Sequence, residues 1–524
     1  MDTKALRQKI LDLAIRGKLV PQNPNDEPAS VLLERIRQQK QQMVKEGKLK
    51  PKDIKNDSVI FVGEDNLHYE KFADGSVKCI EDEIPFELPE SWAWARLQSF
   101  VNFIGGSQPP KSTFEYVATK DNIRLIQIRD YKTDKFLTYI PKSLARRFCS
   151  KGDVMIGRYG PPIFQVLRGL EGSYNVALMK AVSEPGIMLN DYLFYLLQDG
   201  ELLKMLESLS DRTCGQDGIN MYELNRYIVG IPPLDEQNRI TQYLISVLPI
   251  VDNIASNKAE LESLITQTKA KILDLAIRGQ FVPQDPNDEP ASVLLERIRA
   301  EKEELIKQGK IKRDKKESVI FRGEDNSYYL NDGTSTIDIS QEVPFDIPDS
   351  WYWGKLKDIV MINPRNKLDD NTDVAFIPMP LIEDGYSGHH TSEIRKWKEV
   401  KTGFTHFQEG DVGVAKITPC FENRKSVIFE NLNNGYGAGT TELYVFRPYG
   451  KTILPQYLLA YMKSAQFIEN GKRTFAGVVG QQRVSKEYVE NVYFPIPPID
   501  EQKRIVHQLT IAFEYLNLIS NALT

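Results

Sequence analysis

The stretch KILDLAIRGKLVPQNPNDEPASVLLERIR runs from Lys9 to Arg37, and KILDLAIRGQFVPQDPNDEPASVLLERIR runs from Lys271 to Arg299. Only three of the 29 positions differ: Lys18/Gln280, Leu19/Phe281 and Asn23/Asp285. Further matches lie outward. SVIFVGEDN at Ser58 returns as SVIFRGEDN at Ser318, and EIPFELPESWAWARL at Glu83 as EVPFDIPDSWYWGKL at Glu342. After about 130 dissimilar residues, GIPPLDEQNRI at Gly230 returns as PIPPIDEQKRI at Pro495. The offsets are 262, 260, 259 and 265 in a chain of 524 residues, which is a duplication and not a short-period solenoid. Near-constant flanks around divergent middles imply one scaffold that presents two different reading surfaces.

A chain this long exceeds one core, so two or more domains are expected. Hydrophobic content of 41% with 27% charged residues describes a globular protein, and no apolar run approaches the roughly 18 residues that span a membrane. The N-terminus, MDTKALRQKILDLAIRGK, carries charges throughout and no small-residue cleavage site, unlike a signal peptide. Cys79, Cys149, Cys214 and Cys420 are far apart and form no CxxC, which fits a reduced, cytoplasmic compartment. Of five histidines only His389 and His390 are close together, so no metal-ligand spacing exists. Net charge is −5, but it is uneven. Residues 91–234 hold 17 Lys and Arg against 14 Asp and Glu, and residues 351–499 hold 18 against 16. The acidity sits in the repeated flanks, and the divergent blocks are slightly basic, which permits phosphate contact.

The constant segments read as helices. Ile240, Leu244, Val247, Val251, Ile254, Leu261, Ile265, Ile272 and Leu275 step by fours and threes, with Lys258 and Thr268 in the two missing heptad positions. This predicts a long helix from about Asp235 to Arg278, with an apolar seam seeking a partner helix. Asp235 and Glu236 suit its positive end and Gly279 its stop; Pro249 should kink or interrupt it. Ile505, Leu509, Ala512, Leu516, Ile519 and Leu523 repeat the pattern at the C-terminus, and Leu6, Ile10 and Leu13 continue it at the N-terminus. The duplicated layout favours an intramolecular antiparallel pair, the central helix lying against one assembled from both termini, over an oligomerisation coiled coil. The loops VPQNPNDEP and VPQDPNDEP exclude regular structure. Ser30 and Ser292 are then read as caps of charged helices, either solvated or docking surfaces for two equal partners.

The fold class is therefore α+β: two similar mixed α/β domains joined by a long antiparallel helix pair, with an internal pseudo-two-fold. The expected divisions are 1–90 (helix, loop, charged helix, hairpin), 91–234 (first variable domain), 235–350 (central constant region), 351–498 (second variable domain) and 499–524 (C-terminal helix). Each variable domain is read as one twisted sheet with at least one late helix, ending in a Gly-Gln element, CGQDGIN or VGQQRVS, before the PP-x-DEQ turn.

Catalytic signatures do not emerge. GGSQPPKS at Gly105 lacks the glycine that precedes lysine in a Walker loop, and GxGxxG, GxSxG, HExxH and the Asn/Asp-Pro-Pro-Tyr tetrapeptide of adenine-amino methyltransferases are missing. What remains is recognition. The candidates in the first block are Lys111 in the glycine-proline loop, Arg124, Arg129, Arg158, Tyr159, Gln216 and Asn220. In the second they are Arg365, Lys367, Lys416, Thr418, Asn423, Arg424, Gln481 and Arg483. Arg and Lys pair with guanine, and Asn and Gln with adenine, in the major groove; for any one of them the plain alternative is a solvated surface side chain.

Together the turns PPLDEQNRI and PPIDEQKRI, the duplicated LAIRGKLVP and LAIRGQFVP with PASVLLERIR, and the Gly-Gln elements resemble the specificity subunit of a type I restriction–modification system, in a circularly permuted arrangement. GDVMIGRYG and GDVGVAKITPCFENRK resemble segments of that family's target recognition domains. The resemblance implies that each recognition domain reads one half of a split, non-palindromic site on double-stranded DNA. It also implies that the helices set the spacing and dock two methyltransferase subunits, and that restriction/translocase subunits join them. It implies no cofactor and no catalysis in this chain; S-adenosylmethionine, ATP and Mg are expected on the partners. Two other classes are a coiled-coil scaffold or adaptor carrying two ligand-binding domains, and a stand-alone enzyme with a duplicated fold.

Overall fold

The computed structural model describes residues 2–51, 54–55, 57–159, 162–209, 211–213, 216–311, 313, 318–478 and 480–523, without the side chains of 211–213 and 216–217. Two compact units emerge, Met1–Asn257 and Lys258–Thr524. Their boundary falls inside one long helix, Leu234–Ile277, which matches the expected span within a residue at each end. Among the described residues no helix is long and apolar enough to cross a membrane.

The first unit opens with the helix Thr3–Ile15, whose free N–H groups at Lys4 and Ala5 are taken by the Asp2 carboxylate at 2.9 and 3.1 Å. It ends at Gly17, where φ is +66° and a Cβ would sit 2.5 Å from the Pro89 ring, so glycine alone fits. The charged helix Ala29–Lys45 and a three-stranded sheet (Ser58–Val62, His68–Phe72, Val77–Cys79) follow. A two-stranded ribbon then pairs Ala93–Arg96 with Ile228–Ile231, and the divergent block hangs from this ribbon.

That block holds two four-stranded sheets where the sequence reading expected one. The first runs Gln165–Arg168, Val154–Gly157, Leu178–Ser183, Val101–Gly105, all antiparallel. The second runs Tyr139–Pro141, Asn122–Ile126, Gly172–Tyr174, Phe148–Cys149, with its middle pair parallel. Strands of two to six residues leave period-2 patterns too short to assign to separate sheets. Three helices, Asn190–Leu196, Gly200–Ser208 and Met221–Arg226, complete the block.

The second unit repeats this plan. Its ribbon pairs Tyr352–Lys355 with Tyr493–Ile496. One sheet runs Ser426–Ile428, Val412–Ala415, Leu443–Pro448, Val360–Ile362. The other runs Glu393–Lys396, Asp373–Ile377, Tyr436–Gly439, Thr405–Gln408, again with a parallel middle pair. Strand for strand, chain order and pairing match the first block, although the sequences do not.

The PP-x-DEQ turn explains itself in both units. Gln237 is fully buried; its amide donates to the carbonyls of Ile187 (2.7 Å) and Pro232 (3.0 Å), and its oxygen accepts from Leu189 N (2.9 Å). Gln502 does the same with Thr452, Pro497 and Leu454. The neighbouring carboxylates, Glu236 and Glu501, accept from Gln22 and Gln284 of the constant loop, and Glu501 also from Trp351 Nε1 at 2.8 Å. Burial pushes both carboxyls above their ordinary pKa. Arg239 and Arg504 clamp Asp26 and Asp288, each with a closest contact of 2.6 Å. The motif thus ties the start of each long helix to the late helices of its block and to the constant loop.

Helix pairing is antiparallel within each unit. Arg7 meets Asp252 at 3.0 Å while Gln22 meets Glu236, so one chain ascends as the other descends. Lys269 meets Asn517 at 2.6 Å while Gln284 meets Glu501 in the second unit. The C-terminal helix spans Ile499–Leu523.

Three expectations need correction. Ser30 and Ser292 are not caps: the helices start at Ala29 and Ala291 without a side-chain cap, and their first N–H groups donate to the carbonyls of Ser91 (2.9 Å) and Ser350 (3.1 Å). A tertiary carbonyl replaces the capping hydroxyl. Pro249 does not interrupt the long helix; it lies on the exposed side, where water can satisfy the carbonyl it leaves without a donor. The seam is not a continuous heptad stripe. Ile240, Leu244, Leu248 and Val251 are buried in the first unit, and Ile265, Leu273, Ala276 and Ile277 in the second, but Ile254 and Leu261 are each 38% exposed. The helix ends pack into globular cores, which follow a 3.6-residue period.

Candidate nucleic-acid interface

The strands Val154–Gly157 and Val412–Ala415 each follow a Gly-Asp pair and run straight into a cation. Arg158 N donates to the Ala177 carbonyl (2.9 Å) and Lys416 N to that of Glu442 (2.9 Å), so both sit at equivalent sheet ends. Each cation lies over an aromatic ring, Arg158 at 5.2 Å from Tyr159 and Lys416 at 5.5 Å from Tyr444. The Gly-Gln element lies alongside in both blocks. Tyr159 bridges Gly218, and Ile417 bridges Arg483. Thr418 exchanges hydrogen bonds with Gln482, donating from its N–H (2.9 Å) and accepting at Oγ1 (3.1 Å), and Val484 N reaches the Lys416 carbonyl (2.9 Å).

Of the residues singled out from sequence, the second block therefore brings Lys416, Thr418, Gln481 and Arg483 together. Gln481 is exposed. Arg483 is 43% exposed and grips Glu442 through two bonds of 2.9 and 2.8 Å, which holds that carboxyl below its usual pKa. In the first block Tyr159, next to Arg158, meets the strand Gln216–Gly218; the Gln216 side chain lies outside the described residues. The glycine loop enters here too. A Cβ on Gly106 would lie 1.9 Å from the Asn175 carbonyl oxygen, and one on Gly105 would lie 3.8 Å from Arg158 Nη1. Lys111, further along that loop, is exposed.

The others lie apart or have structural partners. Arg124 bonds Asp134 at 3.1 Å, above the buried Asp130 carboxyl, whose pKa burial pushes up. Arg129 is half exposed and donates to the Phe136 carbonyl (3.3 Å) and Thr138 Oγ1 (3.2 Å). Asn220 spends its side-chain oxygen capping the helix Met221–Arg226 at 3.1 and 3.2 Å. Arg365 donates to the Phe404 carbonyl at 3.0 Å, and Lys367 beside it is exposed. Asn423 is exposed, while its carbonyl accepts from Gly385 N at 2.7 Å. Arg424 turns inward at φ +55°, lies 5.2 Å over Tyr386 and donates to the Lys463 carbonyl at 3.1 Å. Lys463 itself is buried, and that burial brings its ammonium down to about 7.

Three apolar residues of the first block that the sequence did not single out stand in solvent: Tyr116, Val117 and Phe136 are 72, 73 and 60% exposed. Two of them form an apolar pair inside a polar run, FEYVATKDN, a pattern that a short strand of the core shares.

Residues 348–523 match the family described as the type I restriction modification DNA specificity domain. The chain is 47% identical over 257 residues to the EcoAI type I restriction enzyme specificity subunit of Escherichia coli, covering 49% of this chain and 40% of that protein. It is 47% identical over 243 residues to the EcoEI specificity subunit of the same organism, covering 46% and 38%. The chain thus spans about two fifths of the length of these curated relatives. A solved chain from work on complex assembly and conformational transition of the type I R-M system is 16% identical, with a TM-score of 0.49 over 84% of this chain and 94% of that one. Residues 348–523 are thus similar to the type I restriction modification DNA specificity domain, and about half of the chain is similar to the specificity subunits of type I restriction enzymes.

Proposed function

We propose that this chain is the non-catalytic, cytoplasmic sequence-reading subunit of a type I restriction–modification complex. Residues 91–234 and 351–498 act as target recognition domains on double-stranded DNA, each reading one half of a split, non-palindromic site. The constant regions 1–90, 235–350 and 499–524 hold them. The observation that carries this reading is the recurrence of one sheet topology and one strand-end cation, Arg158 or Lys416, in two blocks whose other surface residues differ. Arg158, Lys416 and Arg483 have the chemistry for guanine edges or phosphates, and Gln481 that for adenine.

The helices serve as spacer and docking site. Ile245, Ile250 and Ile254 in the first unit, and Leu261, Leu264, Tyr515, Leu518 and Ile519 in the second, leave large apolar side chains 38–66% exposed. Such rows on helices fit helices of a partner, and a duplicated scaffold fits two copies of one methyltransferase subunit. Adenine methylation with S-adenosylmethionine belongs to those subunits. ATP- and Mg-dependent translocation and cleavage belong to the restriction subunits. The half-sites should lie about one duplex turn apart, roughly 10 base pairs between centres.

Footprinting the chain with its methyltransferase partner tests this. Two protected patches separated by an unprotected gap, dependent on that partner, are expected. A single patch, or turnover of a small ligand by the isolated chain, would overturn it.

A further inference from the structure

Tyr116, Val117 and Phe136 stand in solvent on the first block, which forgoes the stabilisation that burial of such side chains brings. Their backbone is nevertheless fixed. Asn122, 6% exposed, donates to the Val117 carbonyl (2.9 Å) and accepts from Thr119 N (2.9 Å). Glu115 and Tyr139 exchange two backbone bonds of 2.9 and 2.7 Å across the base of the loop. Arg129 holds the Phe136 carbonyl at 3.3 Å from the other side. Exposed apolar groups on a pinned backbone are a surface built for an occupant, because an unused loop has no need of such support.

The three side chains line an open cavity of about 570 Å³ with Arg129, Asp134, Lys135 and Tyr139. The segment 111–142 carries seven Lys and Arg against four Asp and Glu. Two of the acidic groups are already engaged, Asp134 by Arg124 and Asp130 beneath the same guanidinium. The occupant must therefore be apolar where it touches the cavity and anionic around it. Duplex DNA meets both demands at one place: the thymine C5-methyl is the apolar group on a major-groove base edge, and phosphates flank it. A protein surface would match the apolar cradle but gives no reason for the surrounding positive charge.

We infer that Tyr116, Val117 and Phe136 form an apolar reader of a thymine methyl within the half-site of the first recognition domain, with Arg129 and Lys135 on the adjoining backbone phosphates. This rests on the proposed DNA-reading role and names a specificity determinant inside it.

The test uses the complete chain with its methyltransferase partner. Methylated adenines are mapped for the wild type, Tyr116→Ala and Phe136→Ser. Both variants should lose discrimination at one A·T position of the first half-site and leave the second half-site and the gap as they were. Replacing the thymine at that position by deoxyuridine removes only the methyl. It should weaken wild-type binding about tenfold and leave Tyr116→Ala binding the two DNAs equally. Unchanged motifs in both variants, with the wild-type preference for thymine over deoxyuridine retained, would overturn the inference. So would a variant that remains folded but no longer joins the methyltransferase, since the cradle would then be a protein-docking surface. A wild-type complex that directs methylation to no split motif would sink the proposed function itself, and this reader with it.

Discussion

Glu501 and Gln502 are adjacent and both fully buried, yet only one of them is a liability. Gln502 satisfies donors and acceptors without charge, whereas burial raises the Glu501 carboxyl above its ordinary pKa. The folded protein therefore binds that proton more readily than the unfolded chain. The stability tied to it is fully present below the unfolded carboxyl value and is lost as pH rises through the folded one. Glu501→Gln should accordingly gain on the wild type in urea-unfolding midpoint as pH climbs from about 4.5 toward 7, near the ordinary carboxyl range. Glu501→Ala should lose about 1–3 kcal/mol at pH 7, because the Trp351 and Gln284 donors lose their acceptor. If the proposed function holds, Lys416→Ala should relax specificity in the second half-site alone and Arg158→Ala in the first alone, each by about 1–3 kcal/mol in competition binding. Residue identity singled out these two cations, and the structure sets them at equivalent sheet ends. It gave no sign of the helix cap at Asn220 or the ring contact at Arg424, which only tertiary neighbours reveal. It gave no sign of the exposure of Tyr116 either, because an exposed aromatic and a core aromatic are spelled alike.

The long helix was legible almost to the residue, since charge at its start, glycine at its end and 44 residues of apolar rhythm agree. Its seam was legible only in part: the apolar rhythm is shared between the two globular cores, and the stretch between them is open to solvent. Pro249, on the exposed side of the first unit's part of the helix, is tolerated, not helpful. Pro249→Ala should raise stability by about 1–3 kcal/mol, given the cost of proline inside a helix, with an unchanged helical circular-dichroism spectrum apart from a small gain. A fall in stability would mean that the proline sets a bend the packing needs. Ser30→Ala should move the unfolding midpoint by less than about 0.5 kcal/mol, since the Ser91 carbonyl and not the hydroxyl meets the first N–H of that helix.

Across the whole molecule, the offsets read from sequence reappear as contacts. Arg7–Asp252 maps to Lys269–Asn517 by shifts of 262 and 265, and Arg239–Asp26 maps to Arg504–Asp288 by shifts of 265 and 262. The duplication, and with it a pair of similar variable domains, was therefore visible before any coordinates, whereas their division into two sheets was not: short strands without sequence similarity carry no record of their pairing. The chain enters and leaves each block through a two-stranded ribbon, so under the proposed function a block should be exchangeable, and adding one four-residue turn to the paired helices should lengthen the gap in the target while leaving both half-sites intact. The exchange of residues 92–232 for the corresponding block of one of the similar specificity subunits tests the proposed function most directly, read by sequencing methylated adenines in cells carrying the hybrid. One half of the motif should change, with the other half and the gap preserved; a motif altered in both halves, or in neither, would contradict it.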